Sequence, residues 1–154
     1  MVKNFNIKKI FSGRLNRKAF AIKFIPSIII YEIIKTVLKE MFFATIGNKI
    51  ILYIIYVFAF TTNLLFSLIF LSLTIRRLHD LNLSAWYVLI FYILGCIGSF
   101  IFIKLYWERT TLPLLYYLLQ ILEYLAIIFL LIKKGTKGKN TYGEDSLDNN
   151  KDII

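Results

Sequence analysis

The residues best suited to chemistry in this chain are His79 and Asp80, neighbours in the stretch IRRLHDLNLSAW at 75–86. A carboxylate beside an imidazole raises the histidine pKa and fixes its tautomer, as in proton relays and metal sites. A single histidine leaves any metal site short of ligands, and the one cysteine, Cys96, lies inside an apolar run. No metal or other cofactor is expected. Neighbours on a helix also point about 100° apart, so the pair need not touch. An ion pair of His79 or Asp80 with Arg14 or Arg17, made in a loop, accounts for the same residues without catalysis.

A second set of ionisable groups lies within apolar stretches. Counted at 1.5 Å per residue from residue 20 and from residue 132, the ends of their segments beside the most basic flanks, Glu32 is roughly 18 Å deep and Glu123 roughly 14 Å. Lys35 follows Glu32 by one turn, Gln120 precedes Glu123 by one turn, and Asn63 sits midway along its own apolar run. These five residues are expected to form a polar layer between helices. Two readings follow: a proton or ion path through raised-pKa carboxylates, or interhelical hydrogen bonding that holds a bundle together.

The elements that must position these groups are legible from composition. Of the 154 residues, 58% are hydrophobic and 17% aromatic, and mean hydropathy is +0.69, well above a soluble domain. About 20 mainly apolar residues cross a bilayer core. Four stretches qualify: 20–38, 50–75, 85–103 and 112–132. The second and third are free of charge, whereas the first carries Lys23, Glu32 and Lys35. The predicted fold is all-α, an integral membrane bundle of four transmembrane helices, with one domain over 1–143 and a polar, disordered tail at 144–154. Pro26 is expected to kink the first helix, while Pro113 suits a first turn. The lysine-rich N-terminus shows no early apolar core with a cleavage site, so the first span is expected to remain as an anchor.

Nineteen Lys and Arg against nine Asp and Glu give a formal charge of +10. They gather at the ends of apolar runs rather than on one solvated face, so nucleic acid is not the expected partner. The segments before residue 20, at 76–84 and after 132 hold six, two and five basic residues, against four in the 39–49 and 104–111 loops. By the positive-inside rule both termini and RRLHD are cytoplasmic. Three polar stretches then share one membrane surface: SGRLNRKAF at 12–20, RRLHDLNLSAW at 76–86 and KKGTKGKNTYG at 133–143.

In the first, Arg14, Arg17 and Lys18 would line one side of a helix. In the second, Arg76 and Arg77 suit a helix C-terminus, and Ser84 can cap the helix that Trp86 begins as an interfacial anchor. In the third, Gly135, Gly138 and Gly143 allow tight turns, Asn140 can bond its own backbone, and Tyr142 lies between them. Tyr87, Tyr106 and Trp107 read as interface aromatics, and Gly95 and Gly98 as close-packing positions.

These three stretches closely resemble the signatures of the bacterial inner-membrane proteins grouped as domain of unknown function 805. Members carry a GRxxRxxFW-like start, an RRLHD-x-x-x-SGW loop and a G-x-x-G-x-N-x-Y-G end. The resemblance runs from about Phe11 to Asp145. Ala21 stands where the family has tryptophan, Ala85 where it has glycine and Ser146 where proline is common; the first change removes an interfacial anchor. The resemblance implies a small multi-pass protein of the bacterial inner membrane and no established activity.

The leading expectation is a non-enzymatic scaffold or interaction protein. Its basic cap would bind an anionic partner, whether a lipid headgroup, a nucleotide or an acidic protein segment, through Arg14, Arg17, Arg76 and Arg77. His79 and Asp80 would shape that cap. The alternative is a transporter or channel subunit using Glu32 and Glu123, for which a homo-oligomer is the expected form because four short helices enclose little pore. An enzyme using His79 and Asp80 comes last, for want of a nucleophile or metal set.

Overall fold

The computed structural model describes residues 10–45, 47–90, 92–93 and 114–145. Among them there is no strand, and three helices carry the architecture: α1 (Arg17–Ala44), α2 (Lys49–Asp80) and α3 (Leu114–Ile132). Helical turns also begin at Trp86 and cover 86–90 and 92–93. The rest of the predicted third span, with Gly95, Cys96 and Gly98, lies outside the described residues, as do Tyr106, Trp107, Pro113 and the tail from Ser146.

Each helix starts and stops for a local reason. Asn16 caps α1, its Oδ1 accepting from the Ala19 N–H at 2.9 Å, and Asn48 caps α2 by accepting from the Ile50 and Ile51 N–H groups. Pro26 sits inside α1 without ending it. The 32 residues of α2 extend about 48 Å, longer than the 50–75 span expected. RRLHD is therefore helical to Asp80 rather than part of a 76–84 loop. The helix stops in a Schellman arrangement: Asn82 takes φ +59°, its N–H bonds the His79 carbonyl at 3.1 Å, and the Leu83 N–H bonds the Leu78 carbonyl at 2.9 Å. Ser84 then caps the turns at 86–90, its Oγ accepting from the Trp86 N–H at 3.4 Å.

Arg14 departs from the helical side expected for it with Arg17 and Lys18. Residues 12–16 are not helical; Gly13 takes φ +82°, and the Leu15 N–H bonds the Arg76 carbonyl at 3.0 Å. Arg14 is thereby turned inward, while Arg17 and Lys18 on α1 face solvent.

The packed core gathers at one end of the molecule. Leu15, Phe20, Phe24, Leu73, Leu78, Val88 and Leu130 form it, with Phe20 stacked on Phe24 and Phe24 edge-on to Phe70. Farther along, the Tyr31 hydroxyl donates to Asn63 Oδ1 at 2.9 Å and ties α1 to α2. The remaining helix surface is apolar and exposed over long stretches. Among the described residues α2 is the one helix long and apolar enough to cross a membrane.

Candidate functional site

The start of α1, the end of α2 and the segment after α3 meet above the core in a polar cap built around Asp80. That residue is 2% exposed and Arg77 fully buried. Arg77 is one turn before Asp80 on α2, and its Nη1 donates to Asp80 Oδ2 at 2.5 Å. From the preceding loop, Arg14 Nε donates to Asp80 Oδ1 at 3.3 Å. One carboxylate thus holds two guanidinium groups in an environment with almost no water.

Those guanidinium groups have further work. Arg77 Nε donates to the Leu130 carbonyl at 2.8 Å, Nη1 reaches the Leu15 carbonyl at 3.5 Å, and Nη2 donates to the Lys133 carbonyl. Leu130 and Lys133 lie at the end of α3, so Arg77 satisfies carbonyls that a helix C-terminus leaves free. Arg14 donates to the Gly138 carbonyl at 2.6 Å, the Gly143 carbonyl at 3.4 Å and the Thr136 carbonyl, with Thr136 Oγ1 at 3.2 Å. Burial lowers the Arg77 pKa from its ordinary value, Asp80 raises it, and the charge of Arg17 lowers it again.

The segment after α3 folds onto this pair. The Thr136 N–H donates to the Asp80 carbonyl at 2.9 Å, and its hydroxyl donates to the same oxygen at 3.0 Å. Asn140 Nδ2 donates to the His79 carbonyl at 2.9 Å and to Thr136 Oγ1 at 2.8 Å, while its Oδ1 accepts from the Tyr142 N–H at 2.9 Å. Asn140 and Gly143 exchange backbone hydrogen bonds across the turn. Gly138 and Gly143 take positive φ, so these two supply the turns expected of glycine. Gly135 serves differently: a Cβ there would overlap Asp80 Oδ2 and stand 2.7 Å from its Cγ, so only glycine admits the carboxylate. Glu144 pairs with Lys139 at 2.9 Å, and Asp145 accepts from the Gly138 N–H at 2.8 Å.

His79 and Asp80 point to different tasks, with no hydrogen bond joining them. The His79 ring lies parallel to Tyr142, centroids 4.0 Å apart, and its Nδ1 is 3.3 Å from the Gly13 carbonyl. A carbonyl only accepts, so Nδ1 carries the proton. Burial lowers the His79 pKa, opposed by that bond. The expected pairing of Asp80 with Arg14 is present; Arg17 makes none, and it and Ser84 stand at the rim.

The ionisable and polar groups within the apolar stretches are dispersed. Glu32 pairs with Lys35 at 2.6 Å on α1, both side chains about half exposed, and Asn63 is taken by Tyr31. No hydrogen bond among the described residues links Gln120 or Glu123 to them, so the layer shared by three helices is not assembled. Among the described residues no group of three His, Cys, Asp or Glu side chains converges as a metal site. Sequence reading passed over Thr136, Tyr31 and Leu15 and gave Gly135 only a turn; the partners of all four lie 32 or more residues away in the chain.

A family model described as "Protein of unknown function (DUF805)" matches residues 10–144, a span that contains the cap from Arg14 to Gly143. No curated protein and no solved structure matches the chain.

Proposed function

The chain belongs to the DUF805 family, and on that premise we propose that it is a multi-pass membrane protein whose cap binds an anionic partner at the cytoplasmic surface of the bacterial inner membrane. The observation that carries this reading is the charge of the cap: Arg14, Arg17, Lys18, Arg76 and Arg77 gather at it, Asp80 is the one buried carboxylate among the described residues, and Glu144 and Asp145 lie in the segment after α3. Arg14 and Arg77 are consumed in holding the cap together. Arg17 and Arg76 are left to meet a partner, and a guanidinium suits phosphate or carboxylate oxygens.

The membrane part of the proposal draws on α2, whose most apolar 18-residue window is only 6% buried. A core helix of a water-soluble domain would be mostly covered; this one offers an apolar surface to lipid. In this reading the chain crosses four times, and the directions of the described helices are consistent with it. The chain leaves the cap along α1, returns along α2, departs again near Trp86 and comes back along α3, with the charge-free stretch from 85 as the third span. Both termini then share the cap's side, which the basic residues assign to the cytoplasm.

The protein acts in this reading as a scaffold or interaction module and not as an enzyme. The transporter alternative draws less support, because Glu32 is bonded to Lys35 on its own helix. Reporter fusions at Asn48 and Ile154 test the topology, and a cytoplasmic signal at residue 48 refutes it. Titration of the detergent-solubilised chain with phosphatidylglycerol, a nucleotide and an acidic peptide tests the cap; at least one should raise its unfolding temperature, and none doing so refutes the anionic partner.

A further inference from the structure

Away from the cap, α1 and α2 are held together at two places and part between them. Toward the far end the Phe42 and Tyr56 rings meet edge-on, centroids 5.5 Å apart, and nearer the middle the Tyr31 hydroxyl bonds Asn63. Between these closures α2 presents Ala59, the smallest side chain of its 55–63 stretch, and a half-open cleft of about 200 Å³ remains. Its wall is almost wholly apolar, with Leu38 and Phe42 on one helix and Ile55, Tyr56 and Ala59 on the other.

Two cations edge the cleft from α1, Lys35 and Lys39. Lys35 is answered by Glu32 at 2.6 Å. Lys39 forms no ion pair with any described residue, and Glu40 leaves the helix about 100° round from it. Counted from residue 20 at 1.5 Å per residue, Tyr31 is roughly 16 Å deep and Lys39 roughly 28 Å. In a hydrocarbon core of roughly 30 Å the Tyr31 end of the cleft is therefore mid-membrane and Lys39 is at the far interface. The volume is below the roughly 300–1,000 Å³ of pockets that enclose a whole drug-sized ligand, so the cleft takes one hydrocarbon chain and leaves the rest of its owner outside. An uncommitted ammonium at the interface end is complementary to a negative headgroup, and its apolar stem can lie along the chain.

We propose that this cleft holds one acyl chain of an anionic phospholipid, the chain running down to the Tyr31–Asn63 hydrogen bond and the phosphate resting beside Lys39. The site is separate from the cap: it rests on the membrane-crossing part of the reading above and not on the cap's anionic partner. Filling the cleft restores dispersion contacts that an empty space forfeits, and the headgroup supplies the counter-charge that α1 withholds from Lys39.

Native mass spectrometry of the full chain in detergent tests it, with phosphatidylglycerol and phosphatidylcholine of identical acyl chains offered at equal concentration. Phosphatidylglycerol should be retained in preference. Lys39→Gln should cut its retention about fivefold, the worth of one lysine beside an anionic headgroup, and leave phosphatidylcholine as it was. Ala59→Leu, which fills the cleft, should lower retention of both lipids at an unfolding temperature no lower than before, whereas Ala59→Gly, which leaves it open, should retain both like the unchanged chain. Equal retention of the two lipids by the unchanged chain, undiminished retention by Ala59→Leu, or a fall in unfolding temperature with Ala59→Leu overturns the proposal. A preference for phosphatidylglycerol that survives Lys39→Gln and is lost with Arg17→Gln belongs to the cap; it overturns the cleft and leaves the cap standing. A cytoplasmic reporter signal at residue 48 refutes the topology without altering this measurement, which does not depend on the side of the bilayer that the cleft faces.

Discussion

Adding a single methyl group at Gly135 should disturb the cap through one specific atom. The Cβ of Gly135→Ala falls on Asp80 Oδ2, 2.7 Å from Cγ and 3.1 Å from Oδ1. A free carboxylate would rotate aside, but this one is held by Arg77 at 2.5 Å on one oxygen and Arg14 at 3.3 Å on the other. Either the backbone after α3 shifts, pulling Thr136 from the Asp80 carbonyl, or the ion pairs lengthen. Overpacking of this kind costs about 1–3 kcal/mol. For a chain of this size that corresponds to a fall of roughly 3–10 °C in Tm, read by thermal unfolding in mild detergent. A double-mutant cycle isolates the cause. Asp80→Ala alone leaves two buried guanidinium groups without their carboxylate, at a cost of about 3–5 kcal/mol, but it also removes the obstacle, so Gly135→Ala should cost almost nothing further in that background. Additive losses, or an unchanged Tm for Gly135→Ala alone, would refute the close-approach argument.

Other expectations concern the same scaffold. His79 has a folded pKa below its ordinary value, so the unfolded chain takes up the proton first; stability is full above about pH 6.5 and declines as the pH falls below it. His79→Phe, which keeps the stack on Tyr142, should flatten that decline in Tm measured between pH 7.5 and 5.5. Arg77→Lys keeps a buried charge but cannot reach Leu130, Leu15, Lys133 and Asp80 together; a loss of about 2–4 kcal/mol in detergent unfolding is expected. Tyr31→Phe removes the hydrogen bond to Asn63 between α1 and α2, and should cost about 0.6 kcal/mol, matched by Asn63→Ala and not added to it in the double variant.

The fold was legible where physics acts locally, and less so where it acts across the chain. Apolar length found α1, α2 and α3, and Ser84 announced the helix at Trp86. Asn82 was also a signal, since asparagine tolerates the left-handed conformation a helix stop requires, and reading it would have extended α2 through RRLHD. The site is another matter. Arg14, Arg77 and Asp80 were recognised as polar and basic, but spacing alone could not divide the four arginines into two that build the cap and two that do not. That division depends on Gly13 turning Arg14 inward and on carbonyls of Leu130, Lys133 and Gly138, which leave no mark in the sequence. Glu32 and Lys35 were readable as one helical turn, whereas the tie between α1 and α2 came from Tyr31, a residue that no motif or spacing singled out.

Arg14 bonds the carbonyl of Gly138, 124 positions later in the chain. During synthesis its guanidinium can meet Asp80 early, but its remaining acceptors emerge roughly 60 residues afterwards, some 3–12 s at 5–20 residues per second. Over that interval both buried arginines are short of carbonyl partners, and a chain broken off before Thr136 never supplies them. The last dozen residues of the cap thus close the polar contacts of Arg14 and Arg77 only after the three described helices have been synthesised.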